Sequence, residues 1–100
     1  MINYLILVTI KDRELFDRYL KGHLPGLEQA GGRIVFRSTS NAPVLNSVPP
    51  DVVVIQEWPS EEAFKLWWHS NAYRPWAEIR DRAATMSIIA CTPSLVLPWT

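Results

Sequence analysis

Cysteine occurs once in this chain of 100 residues, at Cys91, which excludes an internal disulfide and any metal centre built from several thiolates. Set in an apolar run, that thiol reads as buried and inert, in a cytoplasmic protein. Neither sign of charge is in excess: ten Lys and Arg balance ten Asp and Glu, with no run of like charges. The basic stripe that grips phosphate backbones is missing, so nucleic acid is not expected as a partner. Long hydrophobic runs are missing too. The apolar opening Ile2 to Ile10 falls far short of the roughly 20 residues of a membrane span. It has neither the basic flank nor the small-residue cleavage pattern of a secretion signal, and no membrane partner is expected. No phosphate loop, zinc-ligand spacing, haem motif or nucleophile elbow occurs, and His23 and His69 stand far apart in the chain. The expectation is therefore no metal and no cofactor.

What the chain has in plenty is apolar and aromatic material: 48% of residues are hydrophobic and five are tryptophan. A chain this short buries only about two-thirds of the surface its unfolded form exposes. The surplus needs a surface outside a lone globule, and a second copy of the chain is its natural cover. A homodimer is expected.

Period-two alternation marks Ile2 to Ile10 as a strand, with Ile2, Tyr4, Ile6, Val8 and Ile10 on one wholly apolar face and Asn3, Leu5, Leu7 and Thr9 on a mixed one. Asp12 is a good N-cap for a helix carrying Leu15, Phe16, Tyr19, Leu20, Leu24 and Leu27 at helical spacing. Gly22 and Pro25 predict a break in it near His23, and Gly31-Gly32 ends it. Arg33 to Ser38 reads as a strand with Ile34 and Phe36 on one face and Arg33, Val35 and Arg37 on the other. A polar loop runs from Thr39 to Asp51, long enough to be mobile and functional. Val52 to Trp58 is the next strand, stopped by Pro59. Ser60 caps a helix with Ala63, Phe64, Trp67 and Trp68 on its apolar stripe. Ser70 offers a second cap, and a helical segment to about Ala84 kinks at Pro75 or restarts with it in the first turn. Thr85 to Thr92 is the last strand.

The order is β, broken α, β, β, broken α, β. With right-handed crossovers this is an α+β, ferredoxin-like βαββαβ plait with a four-stranded antiparallel sheet. Residues 1–92 form the domain and residues 93–100 an apolar tail placed to pack on a partner subunit. Both helices cover one sheet face, leaving the other for the second copy.

With the strands placed, Val53-Val54-Ile55, Glu57-Trp58-Pro59-Ser60, Glu62-Ala63, Trp67, Ser70, Tyr73 and Arg80 resemble the domain-of-unknown-function family numbered thirteen-thirty. Its signature is an aliphatic run, Glu, an aromatic, Pro-Ser, then Trp, Ser, Tyr and Arg at these spacings. Asp12, Gly31-Gly32 and Arg37 agree with the pattern as well. The resemblance covers about residues 2 to 92. It implies a dimeric α/β-barrel in which two ferredoxin-like sheets close face to face. It implies no activity, since the family is named for lacking one, and related barrels span cofactor-free monooxygenases, muconolactone-type isomerases and haem-degrading enzymes. Ser38 and Thr39 depart from the glycine usual in the family, Asn71 from a proline, and His69 from an Asp or Asn.

Five residues stand out as candidates for a site. His23, at the expected helix break, is the side chain that titrates near neutrality and is the first choice of general base. Tyr73 is a second proton-transfer candidate. Arg37 is the ligand-binding candidate: if strands two and three pair as a hairpin, Arg33 falls near Glu57 while Arg37 faces Val53 without an acid partner. Its planar donors suit a carboxylate or phosphate ligand, although an acid from a helix or partner subunit would serve equally. Trp67 fits a pocket wall between sheet and helices. Arg80, two helical turns after Tyr73, joins the ligand-binding set or stacks structurally on aromatic rings.

Three functions fit these residues. The first is a binding protein holding a small anionic or aromatic metabolite in a pocket of each subunit. The second is a cofactor-free monooxygenase or isomerase, with Arg37 holding an oxyanion and His23 or Tyr73 moving a proton. The third is a purely structural dimer whose pocket is filled by its own side chains.

Overall fold

The alternation of the first strand sets the whole sheet. In the computed structural model, which describes residues 1–93, β1 (Ile2–Ile10) buries Tyr4, Ile6 and Val8 on one face and turns Asn3, Leu5, Leu7 and Thr9 to the other. β3 (Val52–Trp58) and β4 (Ala84–Cys91) flank β1, and β2 (Arg33–Ser38) lies outside β3, giving the order β2-β3-β1-β4 with every pair antiparallel. Helix α1 (Arg13–Gln29) carries the chain from β1 past β3 to β2. Helices α2 (Glu61–Trp68) and α3 (Arg74–Ala83) carry it from β3 past β1 to β4. This is the α+β, ferredoxin-like plait expected from the sequence. The apolar tail expected over residues 93–100 lies, from residue 94 on, outside the described residues.

The core lies between the helices and one sheet face. Phe16, Tyr19, His23 and Leu27 are the buried stripe of α1, packed with Ile6, Val8, Val52 and Trp58. From α2, Phe64 stacks on Tyr4 at 3.9 Å between centroids, and Trp67 sits 5.3 Å from Trp58. The caps form as composition suggests. Asp12 accepts from the Leu15 N–H at 3.1 Å and Ser60 from that of Ala63 at 3.1 Å. Ser70 accepts from the Tyr73 N–H at 3.2 Å while donating to the Trp67 carbonyl at 2.7 Å. That pair of bonds turns the chain between α2 and α3, and Pro75 falls in the first turn of α3, where a missing N–H costs nothing.

The structure corrects the sequence in three places. Helix α1 does not break near His23: it runs through Pro25. Pro25 and Lys21, whose carbonyl loses its N–H partner, are both exposed, on the side of the helix where a carbonyl can turn to solvent. Cys91 is exposed rather than buried, because β4 is an edge strand and pairing with Asn3 turns its side chain away from the helices. The third correction is a β-bulge in β2 between Ile34 and Phe36. Arg33 pairs with Glu57 as expected, but beyond the bulge Phe36 pairs with Ile55 and Arg37 with Val54, not Val53. One inserted residue flips every later side chain to the opposite face. Arg37 thus leaves the mixed face of Arg33 and Glu57 and joins the face under the helices. Among the described residues, no helix is long and apolar enough to cross a membrane.

Candidate functional site

Between α1 and the sheet the described residues leave a cavity of about 470 Å³. Its walls are apolar: Ile6, Val8, Val52, Val54 and Met86 from the sheet, Phe16, Leu20 and Leu24 from the helix. Polar groups enter at two depths. Asp17, Lys21 and Arg37 are exposed and form the rim, whereas Tyr19, His23 and Gln56 are buried and form the floor. The bulge in β2 puts Arg37 here. It has no acid partner among the described residues, whereas Arg33 on the opposite face binds Glu57 at 2.8 Å.

His23 is the most constrained group on the floor. It is 4% exposed and stacks on Tyr19 with 4.0 Å between ring centroids. Its Nδ1 lies 2.7 Å from the Tyr19 carbonyl, which only accepts, so Nδ1 carries the proton. Burial pushes the imidazolium pKa below its usual 6.5, against a smaller upward pull from that hydrogen bond. The neutral ring therefore keeps a lone pair on Nε2, the geometry of a base or a hydrogen-bond acceptor.

Behind the floor runs a chain of polar contacts. Tyr19 and Tyr73 share a hydroxyl–hydroxyl hydrogen bond of 2.6 Å, and Arg80 Nη1 donates to the Tyr73 oxygen at 3.1 Å. Arg80 bonds Asp81 at 3.0 Å and lies 4.5 Å over the Trp68 ring. Burial raises both tyrosine pKa values above the usual phenol value, so both hydroxyls keep their protons at neutral pH.

The sequence candidates thus separate. His23 and Arg37 line one cavity. Tyr73 and Trp67 lie on the far side of His23 and line, with it, a second groove beside Gly22, Gly26 and Trp76. Arg80 lines neither and instead anchors Tyr73. Among the described residues no group of three or more His, Cys, Asp or Glu side chains converges as a metal site would need. Tyr19 and Gln56 are floor residues that sequence reasoning passed over. Gln56 carried a signal: it is the one polar residue on the inward face of β3, between Val52, Val54 and Trp58.

The topology defines an α+β protein of the ferredoxin-like class. Within that class the chain belongs to the family described as Domain of unknown function (DUF1330), whose model matches residues 3–92. No curated protein matches the sequence. Among solved structures it is similar to a protein of unknown function from Rhodopseudomonas palustris, with 24% identity and a TM-score of 0.85 over 97% of this chain and 83% of that one. It is also similar to At3g17210 from Arabidopsis thaliana, with 14% identity and a TM-score of 0.77 over 98% of this chain and 100% of that one. A third is SnoaB, a cofactor-independent oxygenase from Streptomyces nogalater, with 14% identity and a TM-score of 0.69 over 97% and 96% of the two chains. These likenesses concern the fold.

Proposed function

We propose that each subunit of a homodimer binds a small aromatic metabolite bearing an anionic group in the cavity beneath α1. The observation that carries this reading is the Arg37 guanidinium, without an acid partner among the described residues, on the rim of an apolar cavity of about 470 Å³, a size that suits a small organic molecule. The apolar walls take the ring and the guanidinium takes the anion, on a rim where Lys21 and Arg37 outweigh Asp17. Thermal-shift titration with benzoate and 2-naphthoate, against their neutral carboxamides, tests it. The carboxylates should bind better than the amides. Arg37→Ala should weaken them by roughly tenfold, as expected for one charge-assisted hydrogen bond at a partly solvated site, with the unliganded melting temperature nearly unchanged. Equal binding to the variant, or no binding by any carboxylate, overturns the reading.

A second reading, proton-transfer or oxygenation chemistry without a cofactor, draws on one observation: His23, whose Nδ1 is committed to the Tyr19 carbonyl, lines the same cavity as Arg37. The oxygenase SnoaB supports it by analogy of fold. Turnover of a bound carboxylate that disappears in His23→Phe, with binding retained, would select it over simple binding.

A further inference from the structure

Two side chains on the cavity floor have a polarity that their protein partners dictate. Gln56 lies 3.0 Å from Trp58 Nε1 through its amide oxygen. An indole N–H only donates, so the oxygen must face it and the amide NH2 must point the other way. Gln56 is 5% exposed, and among the described residues its NH2 group has no partner and no sealed, unpartnered side-chain nitrogen or oxygen occurs. Because Gln56 lines the cavity, that NH2 group opens into it. The tautomer of His23 is fixed in the same way: its Nδ1 proton is committed to the Tyr19 carbonyl, and Nε2 is neither sealed nor bonded to a described residue, on a ring that borders both this cavity and the groove beside Trp67. The floor therefore offers one pair of donors, and the His23 ring beside it one bare acceptor, both fixed before a ligand arrives.

We propose that this floor selects hydroxylated aromatic carbonyl compounds, with the carbonyl oxygen accepting from the Gln56 NH2 group and the hydroxyl donating to His23 Nε2. The inference rests on the cavity being a ligand site and adds the chemistry of the ligand's inner end: neutral, one acceptor, one donor. A compound lacking either group leaves a buried nitrogen without a partner, and loss of an expected hydrogen bond is what a polar site rejects most strongly. A carboxylate on the floor would face the His23 lone pair, so the anion belongs at the rim with Lys21 and Arg37.

Four matched probes test this on the wild-type protein by NMR titration: 3-hydroxyacetophenone, 3-methoxyacetophenone, 3-ethylphenol and 3-ethylanisole, with the 4-substituted series run beside them to cover spacing. In one series the hydroxyketone should bind best, with about fivefold to tenfold lost on removing either group. His23→Phe keeps a ring against Tyr19 and should erase the preference for hydroxyl over methoxy while leaving that for carbonyl. Gln56→Glu keeps an oxygen for Trp58 Nε1 and should erase the preference for carbonyl over ethyl. Equal binding of all four probes, or of none, overturns the inference even if a variant fails to fold, because the wild-type series stands alone. If the probes fail while carboxylates still bind through Arg37, the floor assignment alone falls; if both fail, the ligand site falls with it.

Discussion

At the scale of single residues, His23 ties the site to stability. Its folded-state pKa lies below the ordinary 6.5 because burial disfavours the charged ring. Between those two values the unfolded chain binds a proton that the native chain does not, so stability rises with pH through the window. The sign follows directly: stabilisation is complete above the unfolded value and is lost as pH falls below about 6.5. Melting temperatures followed from about pH 8 down to pH 5 should therefore decline in the wild type, before most carboxylates titrate. In His23→Phe, which keeps an aromatic ring beside Tyr19 and removes the proton site, that part of the decline should vanish. A wild-type profile parallel to that of the variant would mean that His23 charges freely in the folded protein.

At the scale of elements, two glycines give opposite expectations. A Cβ added at Gly32 would stand 2.5 Å from Trp58 ring carbons, and that ring is fully buried and held by Gln56. The ring has nowhere to go, and Gly32→Ala should cost about 1–3 kcal/mol, the range for overpacking a core. That corresponds to a melting temperature lower by about 4–8 °C per kcal/mol in a domain of this size. A Cβ at Gly26 in α1 meets only Trp67 Nε1 at 3.8 Å, an ordinary contact. There the better helix propensity of alanine decides, and Gly26→Ala should raise stability by up to about 1 kcal/mol. A thermal melt of the two variants that gave the same sign would refute the packing account. This scale also shows why sequence reading stops where it does. Strand alternation, the Asp12 and Ser60 caps and the restart at Pro75 are local signals, and they placed the elements and the plait. The bulge at Val35 is set by how β2 lies along β3, which no local pattern in Arg33 to Ser38 records. It moved Arg37 from one face to the other, so the residue was legible while its environment was not. Pro25 shows the same limit: buried His23 and Leu27 hold α1 together through a residue that local propensity reads as a stop.

At the scale of the whole molecule, the face of the sheet turned away from the helices asks for cover. The Cα atoms span 42 × 32 × 16 Å, a thickness that holds one layer of helices and one sheet, so nothing in the described chain packs on that face. The register runs an apolar row straight across it: Phe36 beside Ile55, Ile55 beside Leu5, Leu5 beside Ile89. Phe36 and Ile89 are about half exposed, at 49% and 50%. Arg33, Glu57, Asn3 and Cys91 make a polar row along one side. Removing the remaining water from the apolar row contributes about 25 cal/mol per Å², and a second copy offers the matching row. Light scattering should then return twice the chain mass of 11.5 kDa, with a melting temperature that rises with protein concentration. Ile55→Asp sets a charge in the middle of that row and should give a folded monomer whose melting temperature no longer depends on concentration. A wild type that runs as a monomer would remove the dimer. The cavity lies on the other side of the sheet, under α1. Ile55→Asp should therefore lose the dimer and keep ligand binding, while Arg37→Ala should weaken binding and keep the dimer, because the bulge in β2 turns Phe36 to the open face and Arg37 to the cavity.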